Sequence, residues 1–484
     1  MNKRLFSMIL CLIMVLSTAS MMFACDNGGG GGAESTEPYE TQIQQGSEHD
    51  PKIPAKDYGE YGFTFITEDG DYYVNYIDSD GSSSELIPDA VYRRNTVIED
   101  KYNVTIEQVE ATSMSSEIRT QVMSGTTEFD AIIARANILS VLAKEELLYD
   151  LNSVPQFNMD APYWDQNAKT ELAMGNKLYY TNCDINIRAT PFMIYFNKQI
   201  IEDYQLTSPY EYMANDQWTL DNFAALIKAV SRDMDNDGSW TEFDQYGAYL
   251  EHHNVSTLLY GSGIRATTND STGYPTLTLT GDKLVTAYEK IKEIFSDKTT
   301  TFCITCSSLD PHGYDHKFDY ARYLFTQDQA LFHIAPSDVI PQFADMEHEF
   351  GIVPVPKFDS TQPRYYSLFS YYEVLVALPS IIPDLERTGS ILEDMNYYSS
   401  IITIPVWFET MLSRKYTRDD ESEANLSIVK ETAVYDVGLF YDFGGMRSKI
   451  IDVDPAKNNI STNLAKMKKV IQAEIDDAFG DLAS

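Results

Sequence analysis

One stretch of twelve residues carries the clearest metal chemistry in this chain, because its spacing matches a calcium-binding loop. It begins at Asp233, places acids on alternate residues and has Gly238 at the tight turn. Carboxylate oxygens are the ligands that a hard cation such as Ca²⁺ prefers. We therefore predict a structural Ca²⁺ site, with a solvated acidic turn as the alternative. The predicted ligands are Asp233, Asp235, Asp237, Ser239 and Asp244.

A second group of potential metal ligands begins at Cys303. Cys303 and Cys306 have the Cys-x-x-Cys spacing, and His312 and His316 lie shortly downstream. The gap between the second cysteine and the first histidine is far shorter than in zinc-finger modules. Outside the cytoplasm, two cysteines at this spacing can instead form a local disulfide. The spacing favours that disulfide over a zinc site.

Polar side chains that could hold a small ligand follow an apolar strand at 131–133. Arg135 and Asn137 come directly after this strand. In sheets whose strands alternate with helices, ligands bind beyond the carboxyl ends of the strands. We therefore expect Arg135 and Asn137 to lie in a ligand cleft, with ordinary loop polarity as the alternative.

The elements that must position these groups alternate between strands and helices. Apolar segments at 63–66, 104–109 and 191–196 predict strands, and helical patterns separate them. A helix at 221–232, with Thr219 as its N-cap, leads into the acidic loop. This alternation predicts an α/β fold with helices on both faces of parallel sheets, and a chain of 484 residues predicts two domains.

The first residues predict export. Lys3 precedes an uncharged run at 5–16, and small and apolar residues lead to Cys25, which indicates a signal peptide at 1–24. Cys25 stands where a bacterial lipoprotein carries its lipid. Residues 25–57 are rich in Gly, Ser, Glu and Gln, so we expect a disordered tether there. The expected location is the outer face of the cytoplasmic membrane, with simple secretion and a retained anchor helix as the alternatives.

Charge and motif content exclude several classes of function. Acids number 73 against 36 bases, a net charge of −37, which repels nucleic acid and anionic lipid. The sequence contains no Gly-x-Ser-x-Gly elbow, no His-Glu-x-x-His motif and no phosphate-binding loop. We therefore expect neither a nucleic-acid partner nor an enzyme. Tyrosine suits partly solvated clefts and the apolar faces of sugars, and the sequence has 33 of them, although strand packing explains most.

Several segments together resemble the extracellular solute-binding proteins of family 1, the lipoproteins that serve sugar-type ABC transporters. One of them reads Phe350-Gly-Ile-Val-Pro-Val-Pro-Lys357. They follow the same order as in that family and extend from Cys25 nearly to the C-terminus. Besides Cys25 and its tether, the similar segments are 90–106, 148–151, 163–166, 194–198, 218–220, 330–332, 350–357, 385–389 and 418–422.

The resemblance implies a periplasmic-binding-protein-like fold in which two discontinuous α/β lobes are joined by a hinge, with the ligand cleft between them. Carried onto this chain, it gives a first lobe of 58–190 plus 329–370 and a second lobe of 191–328 plus 379–484. Crossings are expected near Pro191 and at 371–377. The implied partners are a small solute, most often a carbohydrate, and the permease subunits of an ABC transporter, and the protein is expected to be a monomer.

The resemblance places Arg135 and Asn137 in the cleft of the first lobe. Its sugar-binding members use aromatic and acidic residues at this position, so the ligand class stays open. Other candidates follow from chemistry near the crossings, because carboxylates and guanidinium groups bind sugar hydroxyls and aromatic rings cover sugar faces. Each has a structural or packing role as its alternative. The candidates near the crossings are Asp184, Arg188, Ser337, Tyr371 and Tyr372, and the candidate stacking rings among the four tryptophans are Trp164 and Trp407.

Two other functions share many of these features. A ligand-binding lobe that reports to a membrane sensor has the same motifs as a transport protein. An anchored glycoside hydrolase needs two carboxylates on either side of a scissile bond, and no motif in the sequence marks such a pair. Transport of a solute therefore remains the favoured function.

Overall fold

The strands and helices belong to a computed structural model that describes residues 48–70, 77–187, 191–343, 346–411 and 419–480. Two five-stranded sheets organise the unit formed by residues 51–484. The strands in chain order are β1 (Tyr61–Glu68), β2 (Val104–Ala111), β3 (Ala131–Arg135), β4 (Tyr180–Thr181), β5 (Met193–Asn197), β6 (Tyr246–Leu250), β7 (Thr267–Asn269), β8 (Pro275–Leu277), β9 (Thr301–Cys303), β10 (Ala330–Ala335), β11 (Phe350–Val353), β12 (Ser367–Leu368), β13 (Val374–Ala377) and β14 (Ala433–Val434).

Helices connect and cover these strands. Among the described residues, no helix is both long enough and apolar enough to cross a membrane. The α-helices in chain order are α1 (Leu86–Tyr102), α2 (Met114–Ser124), α3 (Ala136–Lys144), α4 (Gln166–Glu171), α5 (Lys198–Asp203), α6 (Pro209–Ala214), α7 (Leu220–Val230), α8 (Asn254–Gly261), α9 (Asp282–Ser296), α10 (Lys317–Thr326), α11 (Leu385–Tyr398), α12 (Ile404–Met411), α13 (Asp420–Glu431), α14 (Val437–Tyr441) and α15 (Ile460–Phe479).

The first sheet has the strand order β2-β1-β3-β13-β4. β1 runs parallel to both β2 and β3, whereas β13 runs antiparallel to β3 and β4. Phe65 and Ile66, which lie on opposite faces of β1, are both buried, as expected for a strand covered on both faces. The carboxyl ends of β1 and β3 lie at one edge, which brings Glu68 and Arg135 together.

The second sheet has the order β11-β5-β10-β6-β9. β10 is parallel to β6, and β6 is parallel to β9, whereas β5 runs antiparallel to β10 and β11. β10 is buried along its whole length. The α/β class predicted from the sequence is confirmed, but each sheet is mixed rather than purely parallel, because β13 in the first sheet and β5 in the second run antiparallel to their neighbours.

The expected division of the chain into lobes differs from the observed strand pairing. Residues 329–370 were expected in the first lobe, yet β10 and β11 pair within the second sheet. Residues 379–484 were expected in the second lobe, yet they serve both sheets. Tyr102 of α1 donates to Asp394 of α11 (2.7 Å), whereas Asn425 of α13 donates to the Ile352 carbonyl of β11 (3.0 Å). Apolar strands of similar composition carry no local signal of the sheet they will join.

The chain crosses between the sheets twice before α11. The first crossing joins β4 to β5 and the second joins β11 to β13. The helix before the acidic loop is α7, and Thr219 caps it by accepting a hydrogen bond from the Asn222 N–H (3.4 Å). This N-cap was predicted from the sequence. The polar segments that follow β3, β6 and β10 meet at these crossings.

Candidate functional site

A cavity of about 470 Å³ is lined by residues from both sheets. Its walls come from the ends of β3, β6 and β10, the start of β13 and the N-terminal part of α10. Sheets of this kind bind ligands at such strand ends, so the cavity is the candidate ligand site. The lining residues are Arg135, Phe192, Glu251, His252, His253, His316, Phe318, Arg322, Ile334, Ala335, Pro336, Asp338, Ser370, Tyr371, Tyr372, Glu373 and Val374.

Arg135 forms the charged part of the wall on the first sheet. Its Nε lies 2.9 and 2.8 Å from the two carboxylate oxygens of Glu68, and its Nη2 lies 2.7 Å from Glu68 Oε1. This paired contact fixes the plane of the guanidinium group. The group also lies 5.4 Å from the ring centre of Tyr372. Glu68 therefore neutralises the charge of Arg135 and fixes the direction of its N–H groups.

Two neighbouring tyrosines form the aromatic part of the same wall. The rings of Tyr371 and Tyr372 lie 4.2 Å apart. The guanidinium carbon of Arg447 lies 3.4 Å from the ring centre of Tyr371. Burial raises the pKa of Tyr371 well above its ordinary value. Tyr372 is 47% exposed, so part of its ring is open to a ligand. Asn137 supports the pair by donating its backbone N–H to the Tyr371 carbonyl (3.1 Å).

Three titratable residues follow β6 and form part of the wall on the second sheet. His253 Nε2 is bonded to a carboxylate oxygen of Glu251. Burial works against the charge on both groups, but each holds the other ionised. The pKa of Glu251 is therefore lowered and that of His253 is raised. Burial and the charge of His253 lower the pKa of His252. The wall thus pairs Glu251 with His253, each favouring the charged form of the other, beside an imidazole whose environment favours its neutral form.

Aromatic and cationic side chains complete the second wall. The His253 ring lies between Phe192, at 6.0 Å, and Phe318, at 5.8 Å. Arg322 is 7% exposed, and its Nη1 lies 3.0 Å from Asp319 and 3.4 Å from the amide oxygen of Gln342. As on the first wall, the buried cation has an acidic partner. The cavity combines apolar ring surface with hydrogen-bonding groups whose charges are compensated.

Several candidates from the sequence lie elsewhere. Trp164 is 1% exposed and donates its indole N–H to Glu393 (3.0 Å), which places it in the core of the protein. Asp184 and Trp407 line a separate cavity of about 50 Å³, where burial raises the pKa of Asp184 to about 7. Ser337 is fully buried next to the lining residue Pro336.

Two further candidates, Arg188 and Cys25, lie outside the described residues. The cavity therefore brings together three of the candidates, Arg135, Tyr371 and Tyr372. Asn137 does not line the cavity but is hydrogen-bonded to the backbone of Tyr371.

The acidic loop has its carboxylates close together. Oxygens of Asp233, Asp235 and Asp237 all lie within 4.8 Å of one another, so these residues can hold a metal ion. Asp233 also accepts backbone N–H bonds from Asn236 and Gly238, both at 2.8 Å. The last two predicted ligands are outside this group of three carboxylates.

Ser239 donates its backbone N–H to Asp237 (2.6 Å). Asp244 is buried and accepts backbone N–H bonds from Met234 (2.9 Å) and Thr241 (2.7 Å). Asp244 therefore closes the base of the loop. A strand, β6, follows the loop where a calcium-binding helix pair has its second helix.

Cys303 and Cys306 form a disulfide. Sulfurs bonded to each other cannot ligate zinc as thiolates, so the disulfide interpretation is correct and the zinc interpretation is wrong. Of the two histidines considered with them, His316 lines the cavity and His312 contacts Glu242 at 3.3 Å.

Comparisons with solved structures identify the architecture. A sugar transporter from Rhizobium etli, in an open conformation, aligns with a TM-score of 0.59 at 12% identity, covering 85% of this chain and 99% of its own. The galacto-N-biose/lacto-N-biose I-binding protein of an ABC transporter from Bifidobacterium longum, solved with lacto-N-biose, aligns with a TM-score of 0.57 at 12% identity, covering 87% and 98%. The fold is that of the periplasmic binding proteins.

A third structure supports the same assignment. An ABC substrate-binding protein from Listeria monocytogenes, solved with cycloalternan, aligns with a TM-score of 0.55 at 14% identity and covers 87% of this chain and 99% of its own. Neither a protein-family model nor a curated protein matches the sequence. At such low identity the similarity establishes the periplasmic-binding-protein fold and leaves the ligand to be argued from the cavity.

The sequence contained a signal for the residues that were missed. Glu251, His252 and His253 directly follow the buried strand β6, and Arg135 is the last residue of β3. The rule that selected Arg135 also selects these three residues once β6 is recognised as a strand. Phe318 and Arg322 carried no such signal, because their place in the cavity depends on how α10 packs against the second sheet.

Proposed function

We propose that this protein is an extracytoplasmic solute-binding protein that captures a small carbohydrate in the cavity between its sheets. The observation that carries the proposal is the composition of the cavity: exposed ring surface at Tyr372 beside oriented, charge-compensated groups such as Arg135 with Glu68. Sugars present hydroxyl groups around their rim and apolar C–H groups on their faces. Such a ligand is matched by paired hydrogen bonds and by aromatic rings.

Bound sugars in related folds support the carbohydrate assignment. The neighbours from Bifidobacterium longum and Listeria monocytogenes were solved with lacto-N-biose and cycloalternan, and a cyclo/maltodextrin-binding protein of the same fold was solved with maltotetraose. The cavity of about 470 Å³ is within the usual range for a small-ligand pocket. We propose a ligand of one to a few sugar units and no catalytic turnover.

The proposed transport role depends on hinge closure. Proteins of the periplasmic-binding type close two lobes around a ligand by rotation at the connecting segments. In this chain those segments are the crossings from β4 to β5 and from β11 to β13. We propose that the permease subunits of an ABC transporter recognise the closed form with its ligand bound. Lipid attachment at Cys25, after removal of residues 1–24, keeps the protein at the membrane surface.

A structural Ca²⁺ ion at the acidic loop is part of the same proposal. Asp233, Asp235 and Asp237 offer three carboxylates in mutual reach, and Ser239 can add its carbonyl oxygen. The ion compensates the repulsion among these acids, so its contribution is to the stability of the loop rather than to solute binding. An extracellular millimolar supply of Ca²⁺ fills even a weak site of this kind.

A thermal-shift screen on the full chain tests the proposed function. The screen contains lacto-N-biose, maltotetraose, cycloalternan and monosaccharides, with di- and tripeptides and polyols as the contrasting classes. We expect a concentration-dependent rise in Tm with at least one saccharide, because a ligand that binds only the folded state stabilises it. Stabilisation by peptides or polyols with no response to any saccharide refutes the carbohydrate assignment. Release of new saccharide products during incubation refutes the transport role.

A further inference from the structure

The turn that contains the disulfide is fixed to the strand that leads into the cavity. Leu250, at the end of β6, is paired with Cys303, at the end of β9, and the N–H of Ile304 donates to the Leu250 carbonyl (2.8 Å). The disulfide closes the turn from Cys303 to Cys306, and the Cys306 N–H donates to the Cys303 carbonyl (3.2 Å). The residues inside this turn therefore have little freedom relative to the end of β6.

Thr305 lies inside this turn and contacts His252 twice. Its Oγ1 accepts the backbone N–H of His252 at 2.8 Å and lies 2.8 Å from the ring Nδ1. A hydroxyl group has one proton to donate and two lone pairs that accept. The backbone N–H uses one lone pair of Oγ1, which leaves the hydroxyl proton and a second lone pair for Nδ1, and we assign the proton to this contact. A neutral imidazole that accepts at Nδ1 carries its own proton on Nε2.

We infer that the Cys303–Cys306 disulfide, acting through Thr305, holds the His252 imidazole in the tautomer and orientation in which its Nε2–H donates to a bound saccharide. The saccharide in this statement rests on the proposed function. His252 lines the cavity, whereas neither Thr305 nor the cysteines are among the described residues that line it. Thr305 and the disulfide are thus positioning groups, and His252 is the residue that contacts the ligand.

The hydrogen bond from Thr305 fixes the orientation of the His252 ring. An imidazole rotates about two side-chain bonds and exchanges between two neutral tautomers, so an unsupported ring loses freedom on binding and weakens the complex. A hydrogen bond from a rigid turn removes that freedom before the ligand arrives. The T-shaped contact between the His252 and His253 rings, at 5.2 Å, supports the ring from a second direction.

Imidazole ¹⁵N NMR on histidine-labelled full chain tests the positioning without any ligand. His252→Gln assigns the signals. In the wild type we expect one dominant tautomer, with the proton on Nε2. Thr305→Val keeps the size of the side chain and the disulfide but removes the hydroxyl, and should give a mixture of tautomers. Thr305→Ser restores the hydroxyl and should restore the wild-type spectrum. An unchanged His252 spectrum in Thr305→Val overturns the inference.

The Cys303→Ser/Cys306→Ser double variant tests the part played by the disulfide. We expect its His252 signals to resemble those of Thr305→Val, because the turn is no longer closed. A wild-type His252 spectrum in this double variant shows that the disulfide is dispensable and overturns its role. If the double variant does not fold, the same spectra recorded on the folded wild type after reduction of the disulfide with dithiothreitol test its role, and unchanged His252 signals overturn it.

Calorimetric titration with lacto-N-biose, maltotetraose and cycloalternan tests the consequence for binding. Thr305→Val should weaken the affinity for the bound saccharide about threefold to tenfold, the usual effect of losing one hydrogen bond, and Thr305→Ser should stay close to the wild type. An affinity of Thr305→Val within twofold of the wild type, despite an altered tautomer, overturns the role of His252. If none of the three saccharides binds the wild type, the proposed function fails, and the positioning is judged on the NMR result.

Discussion

Replacing Tyr372 with alanine should weaken saccharide binding roughly sevenfold to tenfold. Tyr372 lies at the cavity edge, beside the Tyr371 ring at 4.2 Å and the Arg135 guanidinium at 5.4 Å. It is 47% exposed without a ligand, so about half of its surface is open to a ligand and the other half packs against the protein. Binding covers the exposed ring face.

The magnitude follows from the ring area that a sugar can cover. A tyrosine side chain offers on the order of 200 Å² of surface, and about half of it is exposed here. A sugar stacked on one face covers roughly 50 Å² of this. At about 25 cal/mol per Å² that area contributes ~1.2 kcal/mol, which corresponds to roughly sevenfold to tenfold in Kd. Tyr372→Phe keeps the ring and should stay within about threefold of the wild type, the difference being one hydroxyl hydrogen bond.

Isothermal titration calorimetry with the saccharide that gives the largest thermal shift measures the effect. Tyr92→Ala is the matched control, because Tyr92 is 43% exposed on α1 and does not line the cavity. It should leave Kd unchanged. Equal affinities for Tyr372→Ala and Tyr92→Ala refute the stacking argument. Both variants lose a half-buried ring, so the ligand-free Tm should fall by a similar amount in each, and only the affinity should distinguish them.

The other predictions concern the core, the metal loop and the ion pair of the cavity. Trp164→Phe should lower the free energy of unfolding by about 1–3 kcal/mol, because Glu393 loses a buried donor, and should leave saccharide affinity unchanged. Denaturant unfolding measures the stability and calorimetry measures the affinity. Weakened binding at wild-type stability speaks against a core role. Millimolar Ca²⁺ should raise the Tm of chelator-treated protein and should have little effect on Asp235→Asn; equal responses in both proteins argue against the loop site. Glu251 has a lowered pKa and His253 a raised one, so their pair stabilises the fold fully between about pH 4.5 and 6.5, the ordinary values of the two groups. That stability is lost below this range as Glu251 takes up a proton and above it as His253 loses one. Tm measured against pH should therefore fall more steeply on both sides in the wild type than in Glu251→Gln, and parallel profiles contradict the pairing.

Local patterns in the sequence predict the elements of this fold better than their assembly. The apolar run before Arg135 and the Thr219 cap are read from neighbouring residues, and the structure has β3 and α7 at those places. The sheet that a strand joins depends on contacts far along the chain. β10 pairs with β5 and β6, and an apolar segment such as 330–335 contains nothing that distinguishes these partners from strands of the first sheet.

The same reasoning explains which cavity residues could be predicted. Arg135 and Tyr372 lie at strand ends or crossings, where chain position alone indicates a cleft. Trp164 was selected for its ring, which suits sugar stacking as well as core packing. Its environment decides between these roles, because the Glu393 carboxylate accepts from the indole N–H inside the core. Residue type therefore gives the chemistry that a side chain can perform, and only packing gives the place where it performs it.

Charge pairing in the cavity explains how so acidic a protein can present a site for a neutral solute. The net charge of −37 makes the surroundings strongly negative. Each cation of the walls has an acidic neighbour: Arg135 contacts Glu68, Arg322 contacts Asp319, and His253 contacts Glu251. These partners cancel the local charge and at the same time fix the direction in which each group presents its remaining donors and acceptors. A neutral, hydrogen-bonding ligand gains from that fixed geometry, whereas an anionic ligand meets an already neutralised cation inside a negative field.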